Sequence, residues 1–315
     1  MNSTEADMVS RAYLHKFFVL HCCELVAFTI VVISNALVLL IVYKHKKLHT
    51  KTWVLLANLA VADGVNGLAY VLYNPVKLTL TLLDLPATMV KWKCLIWVSS
   101  YFLFIRATFS LTLIVAFDRM LAVAFPARQA TYTKGLLTIG WVDGLLHVLV
   151  FAFYNKGYTD PAPVCNVPMA AYKGARFFHE NKSVIMNCLV VVFYVAQFVI
   201  LNGKSLLRKI QGEARDASGP ENLMEAKITR SIGVVLLVFI FTTYARSLVY
   251  VLIPNHASMK ATAFMIARFM TLAMAANSAA NFFIFMLVVG EFRWLFHQGL
   301  GLWLKLRPTT TNTIS

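Results

Sequence analysis

Seven long apolar stretches dominate the chain and restrict what it can fold into. A helix needs roughly 20 mostly apolar residues, each rising about 1.5 Å, to cross about 30 Å of hydrocarbon. We predict one membrane span in each of the following stretches: Phe17–Tyr43, Trp53–Tyr73, Cys94–Phe125, Gly135–Tyr154, Ser183–Ile210, Lys227–Ile253 and Ala261–Val289. These runs are continuous, unlike the alternating segments of about ten residues in a membrane β-barrel. The predicted fold class is therefore an all-α membrane protein, a seven-helix bundle.

The composition argues against several other classes of protein. Hydrophobic residues make up 59% of the 315 residues and charged residues only 14%, against about 45–50% and about 25% in soluble domains. A soluble enzyme of this size needs a more charged surface, and five cysteines are too few for a disulfide scaffold. The sequence contains no metal-ligand cluster, nucleophile elbow or phosphate-binding loop, so we expect no enzyme activity, metal or cofactor.

The formal net charge is +15, and its distribution predicts the orientation in the membrane. The basic residues are dispersed over loops rather than forming one stripe, which argues against nucleic-acid binding. With the N-terminus outside, the cytoplasmic segments hold 16 Lys and Arg residues and the outer segments hold 10, in the direction of the positive-inside rule. The sequons that begin at Asn2 and Asn181 then both fall outside, and we predict glycosylation at Asn2, in a short polar tail of residues 1–16.

Polar residues inside the predicted spans need a physical reason, because a charge at mid-membrane costs about 2.5–3.5 kcal/mol. Asn35, Asp63, Ser278 and Asn281 belong to three spans but lie at similar depths in an up-down bundle. We predict that they form a polar cluster in the cytoplasmic half that holds water or a cation. The alternative is interhelical hydrogen bonding, worth about 0.6 kcal/mol per bond. It explains Asn35 and Ser278 equally well, and Asp63 less well.

Two further pairs of residues involve the ends of the predicted third span. Asp118 and Arg119 form an adjacent acid–base pair at the cytoplasmic boundary, which neutralises itself or changes partner. The alternative is a pair of interfacial anchors. Cys94, at the outer start of the span, can pair with Cys165 in the second outer loop if the compartment is oxidising.

Taken in order, these residues resemble the motifs of the rhodopsin-like G-protein-coupled receptors. The shared features are the seven spans and the following residues: Asn35, Asp63 in the sequence NLAVAD, Cys94, Asp118 with Arg119, Trp141, Cys165 and Asn281. The resemblance covers essentially the whole chain, and the 25 residues from Cys94 to Arg119 are the family's interval. The sequence departs from the family's motifs at some positions, for example at Met120, after Asp118 and Arg119, and at Phe285 in the motif of the seventh span that begins at Asn281. These departures are similar to those of nematode-type serpentine chemoreceptors.

The resemblance implies a plasma-membrane receptor that binds an extracellular ligand and activates a heterotrimeric G protein. It implies an extracellular tail (1–16), a seven-span domain (17–289), a short amphipathic cytoplasmic eighth helix (290–306) and a cytoplasmic tail (307–315). It assigns activation and G-protein coupling to the following residues: Asp118, Arg119, Tyr194, Glu225, Asn281 and Phe285. In this interpretation Glu225 holds Arg119 in the resting state, and Tyr194 contacts it in the active state.

Single positions in the predicted outer half restrict the ligand. Tyr101 stands where amine receptors of the family carry Asp, and Ala275 stands where opsins carry Lys, so we expect neither an amine counter-ion nor a retinal link. The predicted pocket residues are the following: Tyr101, Arg106, Tyr244, Arg246 and Arg268. Guanidinium groups bind carboxylates and phosphates through a rigid fork, so we expect a ligand with an anionic group.

An anionic ligand is expected only where an in-span arginine has no acidic partner in the protein itself. Asp143 on the fourth span is the candidate to neutralise Arg106. Arg246 and Arg268 have no obvious acidic partner in the sequence, and Glu24 in the first span is the nearest candidate. The alternative is that both extend to the lipid headgroups. For Arg268 that interpretation is as good as ligand binding.

Three other functions remain open from the sequence. A neuropeptide receptor of the same family is the nearest. A transporter or channel would use Asp63 and the arginines along an ion path, but the sequence lacks the internal repeats and broken-helix Gly/Pro pairs typical of transporters. A receptor-like scaffold that no longer couples is the third, because several family motifs are altered.

Overall fold

A computed structural model describes residues 3–125, 133–154, 159–162, 165, 173–210, 238, 242 and 260–304. In chain order the helices are α1 Ser3–Lys16, α2 Phe18–Lys44, α3 Lys51–Leu82, α4 Lys91–Ala124, α5 Thr133–Tyr154, α6 Lys173–Ile210, α7 Lys260–Val288 and α8 Gly290–Leu304. A 3-10 turn covers Lys46–Leu48, and two short strands, β1 Met89–Val90 and β2 Pro161–Ala162, complete the described elements.

Six helices of this part of the chain, α2 to α7, are long and apolar enough to cross a membrane. They correspond to six of the seven predicted spans. The predicted span Lys227–Ile253 lies outside the described residues except for residues 238 and 242, and Glu225, Tyr244, Arg246 and Asn2 lie outside them as well. We call the end of the bundle that carries α1 the α1 end, and the opposite end the α8 end.

Two helices are longer than the sequence predicted, and both extensions lie at the α1 end. The second span was expected to end at Tyr73, but α3 continues through Pro75 to Leu82. Proline removes one backbone hydrogen bond from a helix. A membrane bundle tolerates this loss because groups on neighbouring helices can bond to the freed backbone carbonyl. The fifth span was expected to start at Ser183, but α6 starts at Lys173. Lys77 and Lys182, both assigned to loops by the sequence, are therefore helical.

The first 16 residues were expected to form a polar tail, but Ser3–Lys16 forms helix α1. Ala6, Ser10 and Leu14 follow each other at four-residue intervals and are buried, as one face of a helix requires. The hydroxyl oxygen of Ser10 accepts a hydrogen bond from the backbone N–H of Ala87 at 2.7 Å. Helix α1 therefore packs against the segment that follows α3.

The turn that ends α3 places Asp84 in contact with two side chains of α1. Asp84 has a φ of 52°, the left-handed conformation that ends many helices. The backbone N–H of Leu85 donates to Leu80 at 2.9 Å, which closes the last turn. The Asp84 carboxylate then lies 3.5 Å from Nη1 of Arg11 and 3.1 Å from Nε2 of His15, both on α1. These contacts are exposed, so each contributes only about 0–1 kcal/mol.

Two glycines allow close approach between neighbouring helices. A Cβ on Gly67 would lie 3.0 Å from a Val31 methyl and 3.3 Å from the Phe28 carbonyl, so α2 and α3 pack tightly there. A Cβ on Gly144 would lie 3.1 Å from the Leu103 carbonyl, which brings α5 against α4. Small residues at helix contacts are typical of membrane bundles, because close packing drives helix association in lipid.

The predicted disulfide between Cys94 and Cys165 is present, and it joins the start of α4 to the segment after β2. Strand β1 pairs with β2 in antiparallel register, with Met89 opposite Ala162. The hydroxyl of Tyr73 on α3 donates to the carbonyl of Cys165. The α1 end is thus held together by a covalent bond and by hydrogen bonds from neighbouring elements.

At the α8 end, aromatic rings connect α7 to the short C-terminal helix α8. Phe292 of α8 is fully buried and stacks on Trp53 of α3, with ring centroids 5.4 Å apart. Phe285 of α7, a predicted coupling residue, meets both rings edge-on, at 5.4 Å from Trp53 and 5.8 Å from Phe292. Edge-to-face pairs of this kind contribute about 0.5–1.5 kcal/mol each. Phe285 is therefore a packing residue in this conformation.

Candidate functional site

Asp63 lies in the centre of the bundle and is almost fully buried. Its Oδ1 accepts a hydrogen bond from the hydroxyl of Thr108 on α4 at 2.9 Å. The side chain of Ser278 on α7 is near enough to interact with it as well. A carboxylate buried in hydrocarbon needs such donors, because desolvation disfavours its charge. Asp63 therefore connects α3 to α4 and α7.

Asn35 joins the same region from α2. Its Nδ2 donates to the carbonyls of Val31, at 2.9 Å, and Ser278, at 3.3 Å. Asn281 lies one turn further along α7, where it lines a narrow crevice with Asn35 and with apolar side chains of α2 and α3. The crevice is too tight for a water molecule in this conformation. The structure thus brings together all four predicted polar residues, and the cation site stays a prediction.

Arg119 lies at the α8 end and is held by two neighbours. Its Nη2 donates to the carboxylate of Asp118 at 2.8 Å and to the hydroxyl of Thr52 at the start of α3. Tyr194 on α6 is buried in a cluster with Ala116 and Val190. The predicted resting partner of Arg119, Glu225, lies outside the described residues. The contact with Thr52 was not anticipated from the sequence.

Arg106 lies in the interior of the bundle, with no solvent exposure. Its guanidinium carbon is 5.8 Å from the ring centroid of Phe102 and 5.6 Å from that of Phe109. These rings belong to a core cluster that also includes Met186 of α6 and Met274 of α7. Arg106 is therefore positioned where several helices converge. Tyr101 is in α4, a turn and a half before it.

The expectation that Asp143 neutralises Arg106 is wrong. The Asp143 carboxylate instead accepts from Nζ of Lys182 at 2.5 Å and from the hydroxyl of Ser110 at 2.6 Å. The physical reason is the early start of α6, which places Lys182 in a helix beside α5 rather than in a loop. Asp143 therefore joins α5 to α4 and α6.

The interpretation of Arg268 as unpaired, or as reaching to lipid headgroups, is also wrong. Its Nη2 lies 2.7 Å from Oε2 of Glu24, and both side chains are buried. Glu24 was the nearest candidate in the sequence, and the packing of α7 against α2 brings the two together. Nη2 of Arg268 also lies 2.7 Å from Nδ1 of His21, one turn before Glu24 on α2.

Lys77 extends this group of charges from α3. Its side chain is only 3% exposed, and its ammonium lies 4.2 Å from the ring centroid of Tyr73. It interacts electrostatically with both Arg268 and Glu24. We call His21, Glu24, Lys77 and Arg268 the outer charge cluster. Tyr13 of α1 lies over it, with its ring centroid 6.3 Å from that of His21.

Comparison with known proteins assigns the family. Residues 28–300 match the model of the family described as "Serpentine type 7TM GPCR chemoreceptor Srsx". The chain belongs to this family. It is therefore a G-protein-coupled receptor and a multi-pass membrane protein, and the described helices agree with that architecture.

Named relatives of the receptor are receptors too. It is 28% identical to somatostatin receptor type 4 of Rattus norvegicus over 290 residues, which cover 88% of this chain and 71% of that receptor. It is 32% identical to 5-hydroxytryptamine receptor 2C of Mus musculus over 174 residues, 53% of this chain but only 34% of that receptor. With sphingosine 1-phosphate receptor 2 of Rattus norvegicus the identity is 25% over 243 residues, 73% of this chain and 60% of that receptor.

One residue pair of the receptor connects two of the motifs on which the resemblance was based. The indole N–H of Trp141 on α5 donates to Oδ1 of Asn58 at 3.1 Å, and Asn58 opens the NLAVAD sequence. This bond gives the Trp141 N–H the acceptor that an indole N–H needs next to a polar helix face.

Sequence reasoning missed several residues of the receptor's polar sites. Lys77 and Lys182 were counted as loop residues, and His21 and Thr108 were not considered. A signal for Lys77 was present, because Tyr73, Lys77 and Thr81 continue the four-residue spacing of α3 past Pro75. His21 and Glu24 are three residues apart and so share a helix face.

Proposed function

We propose that the receptor detects a small extracellular ligand at the α1 end and activates a heterotrimeric G protein at the α8 end. In this arrangement the N-terminus is extracellular, the C-terminus is cytoplasmic and the receptor acts in the plasma membrane. The disulfide at the α1 end supports the orientation, because such bonds persist in oxidising compartments. The excess of Lys and Arg in the opposite loops supports it as well.

The observation that carries the ligand proposal is the burial of Arg106 where α4, α5, α6 and α7 meet. A charge at this position is costly unless it serves recognition or pairing. We propose a ligand with an anionic group that enters between these helices, with Tyr101, Tyr244 and Arg246 as further wall residues. The relatives are named for somatostatin, 5-hydroxytryptamine and sphingosine 1-phosphate, and this diversity leaves the ligand open.

Activation in this proposal is the release of Arg119 at the α8 end. Two contacts hold its guanidinium in the present conformation, one from Asp118 on the same helix and one from Thr52 on α3. Outward movement of the helix ends would free the guanidinium and expose it to the G protein. Glu225 and Tyr194 are the proposed partners in the resting and active states.

The test is nucleotide exchange on a heterotrimeric G protein by the full chain in lipid vesicles. A panel of organic acids, odorants and amidated peptides provides the candidate agonists, and exchange should rise with an acid in the panel. Solute flux in the same vesicles tests the transporter alternative. Flux without exchange would contradict the proposal.

The role of Arg246 is tested on the agonist found in this way. Removing one partner of a desolvated charge pair costs about 2–5 kcal/mol, so Arg246→Ala should weaken an anionic agonist by at least about tenfold. Arg246→Lys should restore part of the potency, because an ammonium lacks the bidentate fork. Arg11→Ala, on the exposed face of α1, is the control. A neutral or cationic agonist, or a silent Arg246→Ala at normal surface expression, would refute the assignment.

A further inference from the structure

The ion pair of Asp143 and Lys182 lies on the outside of the bundle. Its charged atoms are 2.5 Å apart, yet 27% of the Asp143 side chain and 25% of the Lys182 side chain remain exposed. Charged groups within membrane spans almost always face the interior of the bundle or a water-filled cavity. Glu24, Asp63 and Arg106 follow this rule, since each of them is buried. The exposure of the pair therefore needs a physical reason.

The side chains around the pair show that it faces lipid rather than a water-filled cavity. Ile139 and Leu146 share a helix face with Asp143, because they lie four residues before it and three residues after it. Ile185 follows Lys182 by three residues on α6. These three apolar side chains are each more than half exposed, as a lipid-facing surface requires. We call Ile139, Asp143, Leu146, Lys182 and Ile185 the α5–α6 face.

Lipid itself cannot provide polar partners for this face, because Asp143 lies too deep. It is the tenth of the 20 residues in the apolar stretch Lys134–Phe153 of α5, so about 15 Å of helix extends on either side of it. That length is half of the roughly 30 Å of hydrocarbon, so the headgroups do not reach the carboxylate. Acyl chains offer no polar atom. A polar contact at this depth has to come from another protein helix.

The charges of the α5–α6 face suit a second copy of the same chain. An ammonium has three N–H donors, and a carboxylate can accept about four hydrogen bonds. Within the described residues, Lys182 donates to Asp143, and Asp143 accepts from Lys182 and Ser110. Both ions therefore keep capacity for a further partner. A twofold axis brings the same patch of two copies together, so an acid beside a base is self-complementary.

We infer that two copies of the receptor associate through the α5–α6 face, about a twofold axis that brings Asp143 of each copy to Lys182 of the other. The four charges alternate in sign around the axis, where the low dielectric strengthens their attraction. The apolar side chains of the face pack around them. The inference does not depend on the proposed function, because association can be measured without a ligand or a G protein.

Association is measured on the full chain in phosphatidylcholine vesicles. Two batches of receptor carry a donor or an acceptor fluorophore in the tail at residues 307–315, and energy transfer between them is recorded while lipid is added to lower the protein-to-lipid ratio. The unchanged chain should show transfer that saturates at high ratios and is lost on dilution. Stepwise photobleaching should count two subunits in each complex.

Reversing one charge at a time tests the contact between copies. Asp143→Lys leaves two cations on the face and Lys182→Asp leaves two carboxylates, so each variant alone should associate at least about tenfold more weakly. A mixture of the two variants should regain association, because the basic face of one meets the acidic face of the other. An ion pair that acts only within one chain cannot produce this recovery.

Two controls separate association from effects within one chain. The double variant, Asp143→Lys with Lys182→Asp, keeps one acid and one base on the face and should associate like the unchanged chain. Lys91→Asp breaks a different Lys–Asp pair, with Asp160 at the start of α4, and should leave association unchanged.

Each outcome supports or overturns the inference. A monomer at every protein-to-lipid ratio overturns it, as does unchanged association in the single reversals or a mixture that associates no better than either variant alone. Where a reversal prevents folding, Asp143→Asn takes its place, and undiminished association of this folded variant overturns the inference. Loss in the single reversals with recovery in the mixture supports it, whether or not the receptor activates a G protein.

Discussion

The ion pair between Glu24 and Arg268 allows a quantitative test of the electrostatics at the α1 end. The two side chains are 0% and 10% exposed, and their charged atoms lie 2.7 Å apart. Removing one partner of a buried ion pair costs about 3–5 kcal/mol, because the other charge is left in a low-dielectric environment. At about 2–4 °C per kcal/mol, this corresponds to a fall of roughly 6–20 °C in the unfolding midpoint.

The two single variants should differ, because Lys77 is close to both residues. Glu24→Gln leaves two cations facing each other, and it should show the full loss. Arg268→Gln leaves Glu24 with Lys77, so one opposite charge remains nearby and the loss should be smaller. The double variant should lose less than the sum of the single variants, since replacing a whole buried pair is often neutral.

The assay is the fraction of monodisperse receptor that survives a series of temperatures in detergent, for the unchanged chain and each variant. Arg11→Gln is the control, because it removes an exposed ion pair with Asp84 that contributes about 0–1 kcal/mol. An equal or larger loss for Arg268→Gln than for Glu24→Gln would refute the compensating role of Lys77. Strict additivity in the double variant would refute the ion pair itself.

Three further predictions concern other parts of the receptor. Cys94→Ser opens the loop of 71 residues that the disulfide to Cys165 closes. The chain-entropy model gives a loss of up to about 4 kcal/mol in the free energy of unfolding, and helices retained in lipid would reduce this loss. An unchanged unfolding midpoint would contradict the prediction. Asp63→Asn should abolish any effect of sodium on agonist affinity, and a sodium response that persists in the variant would exclude the cation site. Trp141→Phe should lower the free energy of unfolding by about 0.5–1.5 kcal/mol, because it removes the hydrogen bond to Asn58. If the loss comes from this bond, adding Asn58→Ala to the Trp141→Phe variant should lower the free energy of unfolding little further.

The apolar runs and their polar exceptions are local properties, and the sequence was sufficient for them. A helix must satisfy its own backbone in lipid, so the length of an apolar run predicts a span regardless of its neighbours. For the same reason the depth of Asn35, Asp63 and Ser278 could be predicted, and the structure brings them together. The pairing of Cys94 with Cys165 followed from their shared side of the membrane and is present.

Helix ends and charge partners depended on the tertiary structure. Proline and polar residues near Tyr73 indicate a loop in isolation, but packing against α1 and α2 keeps α3 helical to Leu82 and buries Lys77. Which acid pairs with which base is decided by distances of a few ångströms between different helices, and charge attraction falls off with distance and dielectric. The sequence therefore supplied the charged residues, but only the packed bundle decided that Glu24 meets Arg268 and that Asp143 meets Lys182.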